Sequence, residues 1–158
     1  MISDSIFKFL TEDDTTQSYL IQNNFEQYIS VNRGHTALEV VNKSIDTLQH
    51  WSDSSVNKLI ACFGTNDISN MPNEKATPLQ IAETITEAIT KLNTFCTSKN
   101  IQLVYVMPGV LSTVTAQLQS EVFDTIQTFR PLDIIHIQIY THLRNVTTLR
   151  VNSARRHC

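Results

Sequence analysis

Short apolar runs alternate along this chain with longer stretches whose apolar residues return every three or four positions, and that switching of period limits the folds open to it. Four runs have the length and β-branched content of strands: Tyr28–Asn32 (YISVN), Lys58–Phe63 (KLIACF), Ile101–Met107 (IQLVYVM) and Asp133–Tyr140 (DIIHIQIY). Met1–Asp4 adds a short apolar piece at the start. Between the runs, Thr36–Trp51 carries Leu38, Val41, Ile45 and Leu48 on one helical face, and about Leu79–Ser98 carries Ile81, Ile85, Ile89, Leu92 and Cys96. Leu111–Phe129 repeats the pattern with Val114, Leu118, Val122, Ile126 and Phe129, and a shorter helix is expected around Thr16–Asn23. Thr77-Pro78 marks a helix start, because proline in the first turn lacks only an N–H that had no partner there. Gly64–Pro78, rich in Asn, Ser, Pro and Thr, reads as a loop.

Strands separated by helices of this length pair in parallel through right-handed crossovers. The expectation is an α/β chain: a three-layer α/β/α, flavodoxin-like parallel sheet of about five strands, the whole of 1–158 forming one domain. Lys58–Phe63 is nearly continuous in apolar character, as suits a strand covered on both faces. In such sheets the loops after the C-terminal ends of the strands converge on the ligand crevice, so chemistry is sought immediately after each strand.

Composition narrows the class. With 158 residues, 41% hydrophobic and 17% charged, the chain can bury a core and is not a disordered polymer. Cys62, Cys96 and Cys158 have no metal-ligand spacing and no even-numbered disulfide framework; the first two read as small core residues and the last as a free thiol. No run approaches the ~20 apolar residues of a membrane helix, and no basic-then-apolar leader opens the chain, which points to an intracellular setting. The acidic residues all lie at or before Asp133, whereas 141–158 forms a basic C-terminal tail with Arg144, Arg150, Arg155 and Arg156. Such a tail is either a solvated surface or one that meets phosphate, as in nucleic acid.

The three glycines, Gly34, Gly64 and Gly109, each follow an expected strand, where a turn or a close backbone approach needs them. Three segments stand at the same edge of the expected sheet: Ser3-Asp4-Ser5-Ile6 after the first strand, Gly34 in NRGHT after the second, and Gly64-Thr65-Asn66-Asp67 after the third. Ser5, Gly34 and Asn66 are separated by 29 and 32 residues. Physically, the Ser5 N–H, the Gly34 N–H and the Asn66 amide form a set of donors able to hold one developing negative oxygen. Asp67 and Asp4 read as supports that tie down their loops.

In order and context these segments resemble the first three blocks of the SGNH (GDSL-like) hydrolases. The resemblance implies a serine nucleophile at Ser5 and an oxyanion hole from Ser5, Gly34 and Asn66, with no metal and no cofactor. It implies a serine acyl-ester hydrolase, whether esterase, lipase-like or deacetylase, acting on a small ester or acylated substrate. The chain departs from the family at Ser3, where the first block has glycine, and in the last block, normally Asp-x-x-His after the final strand. His157 stands best in sequence for the base, 91 residues after Asn66, but Ala154 occupies the position of its carboxylate partner. A literal Asp-x-x-His occurs at Asp133 and His136, inside the expected last strand, and His142 just past that strand is a further alternative base. Both ends of the sequence read as trimmed relative to the family. The competing expectation is a catalytically impaired scaffold of this kind, binding nucleic acid through Arg144, Arg150, Arg155 and Arg156, or binding a protein partner.

Overall fold

The computed structural model describes residues 2–3, 18, 30–31, 34–49, 57–108, 114, 116–141 and 147–153. Its strands are β1 (Ile2–Ser3), β2 (Ser30–Val31), β3 (Lys58–Cys62), β4 (Gln102–Met107), β5 (Ile135–Thr141) and β6 (Thr147–Ser153). Its helices are α1 (Ala37–Gln49), α2 (Thr65–Glu74), α3 (Pro78–Ser98) and α4 (Ala116–Phe129). The chain is therefore mixed α/β, and the strands lie in one sheet in the order β2-β1-β3-β4-β5-β6.

The neighbours from β2 to β5 run parallel, whereas β6 pairs antiparallel with β5. The basic segment after residue 140 thus contains a strand of its own, with Arg150 opposite Gln138 in the ladder. Ser3 is in register with Val31 on one side and Cys62 on the other, which sets β1 between β2 and β3. That register fixes which loops become neighbours.

Two of the long helices, α3 and α1, begin on a chemical signal carried by their first residues. Thr77 and Gln80 form a reciprocal capping box, Gln80 N donating to Thr77 Oγ1 (3.2 Å) and Thr77 N to Gln80 Oε1 (2.9 Å), and Pro78 occupies the first turn. At α1 the Glu39 N–H donates to Thr36 Oγ1 (3.4 Å), whose hydroxyl in turn donates to the Glu39 carboxylate (3.0 Å). The apolar faces of α1, α3 and α4 then close over one face of the sheet. Leu59, Ala61, Phe63, Leu103, Tyr105 and Met107 share a single core with Val40, Val41, Ile85, Ile89, Leu92, Val122 and Ile126. Successive strand residues point to opposite faces, so Cys62, Val104 and Val106 face the other way, and they too are buried. Burial pushes the Cys96 thiol up to about 12, which fits a small inert core residue.

One expectation is corrected. Gly64–Pro78 is not a loop throughout, because Thr65–Glu74 forms α2. Local composition opposes this helix, and Pro72 lies inside it. Packing overrides propensity: Ile68 and Met71, three residues apart, are both buried in the core. The helix then stops at Lys75 in the left-handed conformation, with the Ala76 N–H returning to Met71 O (3.3 Å). The expected helix at 16–23 lies outside the described residues except for Ser18. Among the described residues no helix is long and apolar enough to cross a membrane.

Candidate functional site

Because β1 to β5 run parallel, their C-terminal ends share one rim, where the segments after β2 and β3 leave the sheet on either side of β1. Strands lie about 4.8 Å apart, so β2 and β3 are separated by about 10 Å. Two hydrogen bonds close that gap. Asn66 Nδ2 donates to the His35 carbonyl at 2.8 Å, and the Ala37 N–H donates to Asp67 Oδ2 at 2.9 Å. The Gly34–Ala37 turn and the first turn of α2 are therefore one unit, spanning the end of β1.

The backbone makes this possible at two glycines. Gly34 has φ +73° and Gly64 φ +112°, both in the region that a side chain disfavours. They differ in their surroundings. A Cβ at Gly34 would meet nothing within 4 Å, whereas one at Gly64 would stand 3.0 Å from Ile85 Cδ1 on α3. Gly64 is needed both for conformation and for the close approach of α3. Below it, Tyr105 Oη donates to the Phe63 carbonyl at 2.7 Å, anchoring the turn to β4.

The polar groups of the rim are unequally exposed. Gly34 is exposed and Asn66 half-buried, whereas Asp67 is only 6% exposed. A buried carboxylate is costly unless its oxygens accept hydrogen bonds, and Asp67 meets that need at the first residue of α1, where the helix dipole also favours negative charge. The Asn66 amide has two N–H groups; one is committed to His35 O, and the other has no protein partner among the described residues.

His35 was given no role by the sequence. It lies between Gly34 and the start of α1, its carbonyl holds Asn66, and its Nδ1 is enclosed without a hydrogen-bond partner among the described residues, while the residue as a whole is half-buried. A histidine directly after a turn glycine, on a loop following a strand, is the signal that marks it.

The Asp133–His136 pair lies elsewhere. Asp133 precedes β5 at the opposite rim, where the Asn93 amide donates to its carboxylate (3.0 and 3.2 Å) and Gln102 Nε2 donates to its carbonyl (3.2 Å). His136 is in register with Tyr105 in the middle of the sheet, fully buried, with rings stacked at 5.9 Å between centroids and 4° between planes. Neither of its ring nitrogens has a hydrogen-bond partner among the described residues. Burial, and then the nearby Arg130 charge, depress its pKa to about 4. Asp133 and His136 are thus not brought to the rim that holds Asn66.

Ser5, Asp4, His142, His157, Arg144, Arg155 and Arg156 lie outside the described residues, and Arg150 is fixed only as a backbone position in β6. No family model matches the chain, and no curated protein or solved structure matches it either.

Proposed function

We propose that the chain is a serine acyl-ester hydrolase of the SGNH kind, on a three-layer, flavodoxin-like α/β/α sheet. The observation that carries this reading is the pair of bonds joining the loops after β2 and β3 across the end of β1, Asn66 to His35 O and Ala37 N–H to Asp67. Ser3 ends β1 between those loops, and Ser5 follows it by two residues. In this reading the Ser5 hydroxyl attacks the acyl carbonyl, and the oxygen that gains charge is held by the remaining Asn66 N–H and the Gly34 and Ser5 backbone N–H groups. Donors fixed before the reaction act where charge develops and need no reorganisation. Asp67 keeps the rim in shape and does not react.

The fold reading is supported by the strand order β2-β1-β3-β4-β5, which is the flavodoxin-like order, and by burial of Cys62, Val104 and Val106 on the face away from α1, α3 and α4. The substrate is a small ester or acylated alcohol, with no cofactor in the reaction. Turnover of p-nitrophenyl acetate should fall at least about 10²-fold in Ser5→Ala and in Asn66→Ala, the usual cost of losing a nucleophile or an oxyanion donor. Undiminished turnover in Ser5→Ala would end this reading.

A second reading is a scaffold without catalysis that meets nucleic acid through Arg144, Arg150, Arg155 and Arg156. It is favoured by β6, which makes part of the basic segment an edge of the sheet. Phosphate contacts weaken steeply with salt, so RNA binding at low salt that is lost on replacing the four arginines would support it.

A further inference from the structure

We propose that the groove between α3 and α4 is a docking site for an arginine side chain presented by a basic segment of a partner protein. The inference stands apart from the hydrolase reading and concerns another part of the surface. Phe129 is the last residue of α4, on the approach to Asp133, so the groove lies toward the rim opposite the one that holds Asn66. It has a volume of about 570 Å³ and is lined by Glu83, Thr86, Glu87, Thr90 and Lys91 of α3 together with Phe129.

Three observations carry the proposal. The first is an aromatic ring left open. Val122 and Ile126 precede Phe129 on the same helical stripe and are buried in the core, yet Phe129 is 59% exposed. The face of such a ring attracts a cation. The second is charge without a counterion. Glu83 and Glu87 lie one turn apart on α3, a spacing at which like charges weaken a helix. Lys91, one turn further on, stands in the favourable order to pair with Glu87, yet its ammonium donates to Asn42 Oδ1 on α1. Neither carboxylate has an ion-pair partner among the described residues. The third is an uncommitted hydroxyl. Thr84 and Thr94 on the same helix donate to the carbonyls of Gln80 and Thr90, each at 3.0 Å. Thr86 makes no such bond, and its enclosed Oγ1 has no hydrogen-bond partner among the described residues. Enclosed polar atoms are nearly always paired, so one at the wall of a groove calls for a donor brought by a ligand.

A guanidinium meets all three demands. Its planar fork of N–H groups suits carboxylates, its face stacks on an aromatic ring, and it has N–H groups to spare for a hydroxyl. A lysine ammonium carries the same charge but is compact, strongly hydrated and has no planar face, so it meets only part of them. The same carboxylates repel an acidic peptide or a phosphate backbone, which leaves a basic segment as the occupant.

The test titrates the isotopically labelled whole protein with acetyl-Gly-Arg-Gly-amide and follows the backbone amide signals by NMR. Peptides with lysine or with neutral citrulline in place of arginine serve as comparisons. The expected result is a saturable shift concentrated at Thr86, Glu87, Thr90 and Phe129, at least about fivefold weaker in affinity with lysine and absent with citrulline. Glu87→Gln should weaken the arginine peptide about tenfold, the loss of one charge-assisted hydrogen bond. Phe129→Leu keeps the apolar bulk, removes the ring and should weaken it about threefold. Urea melts check that each variant is folded, and Glu83→Gln stands in for either one that is not. No shift at these amides, shifts scattered over other acidic surfaces, or equal responses to arginine and citrulline would overturn the proposal. Groove signals that move with protein concentration in the absence of peptide would give the site to a second copy. Signals that move when Arg144, Arg150, Arg155 and Arg156 are replaced would give it to this chain's own basic tail. Either result overturns a partner's arginine as the occupant.

Discussion

The segment Gly64–Asp67 and the segment Asp133–His136 contain similar chemistry, an Asp with an amide or imidazole nearby, yet the sheet uses them in opposite ways. In the first, Asp67 is buried and satisfied by the N–H at the start of α1, and Asn66 reaches across to a neighbouring loop. In the second, Asp133 is exposed and bound to Asn93, while His136 is buried with both ring nitrogens unpartnered among the described residues. The difference lies in the strand end that each segment occupies. Gly64–Asp67 follows β3 and emerges on the rim where parallel loops converge, whereas Asp133–His136 leads into β5 and enters the sheet from the far side. A spacing of residues acquires chemical meaning only at the right end of a strand.

The contrast should be sharpest in acid. The folded pKa of His136, about 4, lies below its ordinary value of 6.5, so below pH 6.5 the unfolded chain binds the proton more readily than the folded one. Stability is full above about pH 6.5 and falls as the pH drops toward 4. At 1.36 kcal/mol per unit, about 3 kcal/mol is lost by then, after which the loss levels off. Urea melts between pH 7 and 4 should show this fall in the wild type. They should lack most of it in His136→Phe, which keeps a ring against Tyr105. An equally steep fall in that variant would assign the acid sensitivity to other groups.

Breaking the satisfied side comes next in size. Asp67→Ala orphans the Ala37 N–H and should cost about 2–3 kcal/mol by urea melt, as for a buried hydrogen bond to a charged group. Asp67→Asn keeps an acceptor and should cost less. Gly64→Ala should cost about 2 kcal/mol, because strain at φ +112° adds to a 3.0 Å approach to Ile85. Gly34→Ala, strained but unobstructed, should cost about 1 kcal/mol. Equal costs at the two glycines would show that α3 does not press on the turn after β3. Smallest of all, Asp133→Ala removes an exposed pair and should change stability by less than about 1 kcal/mol.

Much of this architecture was legible because period and capping agreed. Thr77 and Pro78 announced α3, Thr36 stood one residue before α1, and the alternation of strands and helices implied the parallel pairing found from β2 to β5. Helix α2 was hidden because its ten residues include Asn66, Asn70, Pro72 and Asn73, and only tertiary burial of Ile68 and Met71 makes the helix worthwhile. Within the candidate site, Gly34 and Asn66 were legible from their positions after strands. The bond between Asn66 and His35 O was not, because its acceptor is a backbone carbonyl that every residue carries. For the same reason the Ala37–Asp67 bond left no trace in the choice of Ala37. Tyr105 reads in sequence as one more strand aromatic, and only the register with Ala61 shows why its hydroxyl meets Phe63 O.

The central claim is that the loops closing over the end of β1 activate the serine that follows it. Fluorophosphonate labelling of the whole protein, mapped by mass spectrometry in the wild type and Asn66→Ala, tests this most directly. A single adduct on Ser5, forming about 10²-fold more slowly in Asn66→Ala, is the predicted result. An unlabelled Ser5, or an adduct on Ser5 that forms equally fast without the Asn66 amide, would contradict it.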